Sequence, residues 1–285
     1  MLADSWDQIL EKLISEDSFC EQLKKSGYYL SDSKFKEFTK KYGYAPDQNT
    51  ASFLSRDFWS QQSKILKENN MYLLRTGSGK FVIFDGNRFP SSYLNLNTNN
   101  AQKLETTSTG FPELMDAFET RQENAGLEEL NVIGAYDLLV KKLFGDVEWK
   151  IGPRGNKTSS FPVYAKSNSG EVSLIYTYQG QEELDYTIWT RDHVLLFEAK
   201  SLGPNTGLDV GWHKLAYPAS RFKKYSKYKI KPIYFLKWEK VIHLFVFPDF
   251  EFHHDGILIN DLRAFVPEHI FRIDLDKTLF DYQNN

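Results

Sequence analysis

The sequence predicts an α/β protein: a mixed β-sheet flanked by helices, behind a mainly helical N-terminal region. Three observations carry this. Apolar residues recur at helical spacing through most of the first 70 positions, as at 6, 9, 10, 13 and 14. From Gly126 the pattern becomes one helix, three β-prone runs, a second helix and two further β-prone runs, the order of α/β layering on a mixed sheet. And 285 residues, 41% of them hydrophobic, are enough to bury a sizeable core.

Taken in order, Trp6 to Ile14, Lys34 to Tyr42 and Phe53 to Lys67 read as helices. Met71 to Arg75 and Lys80 to Asp85 are short β-prone runs joined by Thr76-Gly77-Ser78-Gly79, which is hairpin chemistry. Residues 86 to about 122 are rich in Asn, Ser and Thr and read as loop or linker, so the chain divides into a helical and hairpin region, 1–120, and a second domain, 121–285. There, Leu127, Leu130, Ile133, Tyr136, Val140 and Leu143 mark a helix stopped at Gly145. A strand is expected at Val147 to Ile151, and a Gly/Pro/Asn/Ser-rich turn region follows. Further strands fall at Val172 to Tyr178, Leu184 to Trp189 and His193 to Lys200, the last two joined by a hairpin loop at Thr190-Arg191-Asp192. A helix from Val210 to Tyr225, kinked at Pro218, precedes strands at Ile230 to Trp238 and Val241 to Phe247.

Composition excludes several classes. Cys20 is the lone cysteine, so neither an internal disulfide nor a cysteine zinc cluster can form, which fits a reducing cytoplasm. No apolar run approaches the roughly 20 residues of a bilayer span, and the N-terminus carries early acids instead of a basic leader, so no membrane association is expected. Net charge is −3, which leaves nucleic-acid contact to a local patch. One stands between Trp212 and Lys240, where Lys214, Arg221, Lys223, Lys224, Lys227, Lys229, Lys231, Lys237 and Lys240 are opposed only by Glu239. A solvated face explains such a run equally well.

The chemistry concentrates elsewhere. Val194 to Phe197 is unbroken apolar, as in a strand buried on both faces. Glu198 and Lys200 at its end project to one face, with Ala199 opposite. Asp185, on the preceding strand, can come beside Glu198 through the hairpin. Two carboxylates and an ammonium at a strand end cost desolvation unless a cation and an anionic substrate compensate, which is the equipment of metal-assisted phosphodiester hydrolysis.

Asp185, twelve residues, then Glu198-Ala199-Lys200 resembles the PD-(D/E)xK nuclease signature, and the order of elements from 126 to 247 resembles that fold's core. Leu184 stands where proline often precedes the first acid, and His213 to Tyr217 keeps only the tyrosine of a Gln-Leu-x-x-Tyr sequence. The resemblance implies a restriction-endonuclease-like core in which Asp185, Glu198 and the main-chain carbonyl of Ala199 hold Mg2+ and Lys200 orients the attacking water. Glu129, or its neighbour Glu128, is the candidate for a further metal ligand on the first core helix, and a solvated surface acid is the alternative. The implied enzyme is a site-specific type II endonuclease acting as a homodimer on double-stranded DNA. Arg154 and Lys157 in the Gly152-Pro153-Arg154-Gly155-Asn156-Lys157 loop region, with His213, Lys214, Arg221, Lys223 and Lys224, are the candidate DNA contacts. A non-catalytic DNA-binding protein on a nuclease-like fold and a repair nuclease are the alternatives.

Overall fold

A computed structural model describes residues 2–25, 27–43, 54, 58–88, 93–106, 123–167, 170–201, 208–259 and 265–275. The N-terminal helices are α1 (Leu2–Ile14), α2 (Asp17–Lys25), α3 (Asp32–Lys41) and α4 (Lys64–Glu68). Ser31 and Ser63 start α3 and α4 by accepting the N–H of Lys34 and Leu66 on their hydroxyls. Of the helix expected over Phe53 to Lys67, the described residues show helix at Leu54, a 3-10 turn at Trp59–Gln61 and α4, with breaks at Phe58 and Gln62–Ser63, and residues 53 and 55–57 lie outside the described segments.

Two mixed sheets carry the molecule. The first runs β1 (Tyr28–Leu30), β3 (Lys80–Asp85), β2 (Met71–Gly77), β8 (Val172–Glu182), β7 (Lys157–Lys166), β15 (Gly256–Ile259), β14 (Phe252–His253). The second runs β5 (Gln102–Lys103), β16 (His269–Asp274), β13 (Val241–Val246), β12 (Lys229–Trp238), β10 (His193–Ser201), β9 (Tyr186–Thr190), β6 (Trp149–Ile151). A short pair joins β4 (Tyr93–Asn95) to β11 (Asp209–Gly211).

Strand alternation explains the layers. In β10, Val194 and Leu196 face a core shared by both sheets, which also takes Trp212, Leu215 and Tyr217 of helix α7 (Trp212–Ala219). Leu195, Phe197 and Ala199 face the opposite core, covered by α5 (Glu123–Val132) and α6 (Ala135–Phe144). A third core lies between the outer face of β2 and β3 and the N-terminal helices. Among the described residues no helix is long and apolar enough to cross a membrane.

Several expectations need correction. The helix expected as one piece from 126 is two, because Gly134 takes φ 69° and turns the chain. The stretch read as turn-rich contains β7, ten residues long. Phe161, Val163 and Ala165 alternate inward there, a period-2 signal obscured by Pro162 and the serines. The segment read as linker holds β4 and β5, both paired with strands of the second half. The first sheet likewise joins β1–β3 to β7 and β8, so it crosses the division placed at residue 120, a position that itself falls in 107–122, outside the described residues.

Candidate active site

β10 is the interior strand on which the site is built. It pairs parallel with β12 along its whole length, but antiparallel β9 accompanies it only as far as Tyr186 opposite Phe197. The next position sets Asp185 opposite Glu198, where the ladder has ended. The Ala199 N–H then lacks a strand partner, and the Asp185 carboxylate supplies one: Oδ2 accepts it at 2.8 Å. The Ala199 carbonyl points to the same side as its N–H, past the end of β9. Burial raises the Asp185 carboxyl above its ordinary value, against the opposing pull of the Ala199 N–H and of Lys200.

Glu198 is buried, and its Oε1 lies 3.4 Å from Lys200 Nζ and 3.7 Å from Lys214 Nζ. Lys200 Nζ also donates to both carboxylate oxygens of Glu123 at 3.0 Å, an acid at the start of α5 that sequence reasoning missed. The two lie 77 residues apart, and no local pattern announces the pair. A polar cleft of about 150 Å3 opens beside Glu198, lined also by Arg75, Glu182, His213, Lys214 and Tyr217. Arg75 arrives from β2 of the N-terminal half, another residue without a signal in the sequence.

The other candidates separate. His213 is buried against Tyr217, with ring centroids 5.6 Å apart, and lines the cleft with Lys214. Tyr217 is held in the core, its hydroxyl donating to the Arg75 carbonyl at 2.7 Å and paired with the Tyr176 hydroxyl. Glu129 stands apart from the acid pair: it bonds Lys237 on the face of the sheet covered by α5, away from Glu198. Glu129 is buried and Lys237 largely covered, so the pair is structural, and it would cost about 3–5 kcal/mol to break from one side. Arg154 pairs with Glu128 across an exposed rim. Arg221 is tied to buried Glu182, donating from Nε to Oε1 at 2.9 Å, and is not a free DNA contact. Lys231 meets Asp249 and Glu268. The basic run from 212 to 240 is therefore not one face. Lys223 and Lys224 line a second groove together with Lys157 and the Glu182-bound Arg221.

Among the described residues no group of three or more His, Cys, Asp or Glu side chains is gathered as a ready metal cage. What the site offers is an all-oxygen set of two carboxylates and a backbone carbonyl, with ammonium groups beside it. Such a set fits Mg2+, which keeps several waters and asks few protein ligands.

Fold and site together define an α/β protein of mixed sheets with a carboxylate and ammonium cleft at the end of a buried central strand. Residues 90–263 match the domain of unknown function DUF6997, and the chain belongs to that family. No curated protein and no solved structure matches it.

Proposed function

We propose that this protein is a Mg2+-dependent, site-specific endonuclease of double-stranded DNA, a type II restriction enzyme of the PD-(D/E)xK kind that works as a homodimer in the cytoplasm. The observation that carries the reading is the junction at the end of β10, where Asp185 replaces the missing strand at Ala199 while Glu198 and Lys200 share one face. Asp185, Glu198 and the Ala199 carbonyl are the residues to hold the ion. When bound, it supplies charge neutralisation at the scissile phosphate. Lys200 holds and orients the attacking water, and Glu123 fixes the position of its ammonium. Lys214, on the rim of the cleft, takes a non-bridging phosphate oxygen.

The test is incubation of the protein with plasmid DNA, with Mg2+ or EDTA, alongside Asp185→Ala, Glu198→Ala and Lys200→Ala. Discrete Mg2+-dependent fragments are expected from the wild type. Each variant should lose about 10²–10⁴-fold in rate while melting as a folded protein. Unchanged cutting in any of the three removes the assignment, and a smear replaces the restriction reading with a nonspecific or repair nuclease.

A second reading, DNA binding without catalysis, is favoured by one observation: Glu198 already lies between two ammonium groups, one of which a cation must displace. Mobility shift without cutting would select it.

A further inference from the structure

Strands β7 and β8 pair antiparallel from Lys157 opposite Glu182 onward, yet this end of the pair has little other support. β15 joins β7 only at Val163–Ala165, and β2 meets β8 only where Gly77 faces Gln179. Residues 157–162 and 177–182 therefore form a two-stranded ribbon that neighbouring strands touch only on its β8 side, where Gly77 and Ser78 meet Gln179. Its two faces differ. Phe161 and Tyr178 turn into the core, and Ser159 bonds Glu182. Thr158 opposite Gln181 and Ser160 opposite Gln179 share the other face, all four exposed.

That outward face is uncharged and rich in paired donors and acceptors, and charge is placed at its two ends. Thr158 and Ser160 run into the groove of Lys157, Lys223 and Lys224, while Gln181 also lines the cleft of Glu198 and Lys214. None of those three lysines is in an ion pair among the described residues. The acid in that groove, Asp255, accepts from the Tyr164 hydroxyl at 2.9 Å.

We propose that this ribbon end reads the duplex: Gln179 and Gln181 contact base edges, with Thr158 and Ser160 beside them, and Lys157, Lys223 and Lys224 hold phosphates of the same duplex. Amides and hydroxyls are the groups that distinguish base edges, ammoniums bind phosphate without regard to sequence, and a two-stranded ribbon is of a size to enter the major groove. The inference rests on the nuclease reading, because the ribbon's position beside Glu198 is what sets base reading next to a scissile phosphate.

The experiment uses the full chain carrying Lys200→Ala, in EDTA, with fluorescent duplexes of varied sequence. Replacing Lys157, Lys223 and Lys224 together by Ala should weaken binding to every duplex and reduce the slope of log affinity against log salt by about 2–3. Replacing Gln179 and Gln181 by Ala should leave that slope alone and flatten the preference among duplexes about tenfold or more. Lys157, Gln179, Gln181 and Lys224 are exposed and Lys223 is half-buried, and thermal melting checks that the variants fold. A wild-type chain that binds and cuts, with either variant matching it in salt slope or in sequence preference respectively, overturns the ribbon proposal alone. Binding without any preference among duplexes overturns its base-reading half. A chain that neither binds nor cuts DNA overturns the nuclease reading, and the ribbon with it.

Discussion

In the proposed nuclease, Asp185 has two tasks whose protonation requirements conflict. As a substitute for a missing strand it accepts the Ala199 N–H, a role the neutral acid fills as well; as a cation ligand it must be ionised. Burial holds its carboxyl above its ordinary value, so folding favours protonation relative to the unfolded chain. That contribution to stability is complete below the ordinary carboxylate value and is lost as pH rises through the raised one. Asp185→Asn keeps the acceptor and removes the charge, so at neutral pH it should melt at or above the wild-type temperature while losing cleavage; a clear fall in Tm would contradict this. In the wild type, calorimetric titration with Mn2+ should show affinity falling on acidification before the usual carboxylate range is reached. The acid pair and Lys200 were legible because alternation on a buried strand assigns faces. Glu123 and Arg75 were not, because Glu123 reaches Lys200, and Arg75 the cleft, from elements far away in sequence. Of the basic run, the charges were legible and their destinations were not: Arg221, Lys231 and Lys237 turned out to serve Glu182, Asp249 and Glu129, which are buried or half-buried.

Among elements, the contact of β2 with β8 shows how the N-terminal half is fastened. A Cβ on Gly77 would sit 2.3 Å from the Gln179 carbonyl oxygen, so the approach depends on that glycine. Gly77→Ala should cost about 1–3 kcal/mol and speed proteolytic cleavage within β2 and β3; an unchanged melt would show that the junction yields freely. The hairpin β2–β3 was predicted from Thr76-Gly77-Ser78-Gly79, and Gly79 takes φ 63° in its turn. Its destination in a shared sheet was not, since a single Gly77–Gln179 pairing leaves no pattern in either strand.

For the molecule as a whole, the family match begins at residue 90, but the core does not. Leu74, Val82 and Phe84 of β2 and β3 are buried in the same cluster as Trp212 and Tyr217 beside the cleft. A fragment beginning at residue 90 should therefore lack a cooperative thermal transition and near-ultraviolet dichroism; a melt like that of the full chain would show that the first 89 residues are an appendage.

The sheets themselves end in β1 and β14, and in β5 and β6, each only two or three residues long. Among the described residues these terminal strands thus present no long row of unpaired amides to another chain, which protects those four edges against edge-to-edge polymerisation. A ladder shared between two copies would have to form elsewhere, as along Lys157–Pro162 of β7, which β15 does not cover.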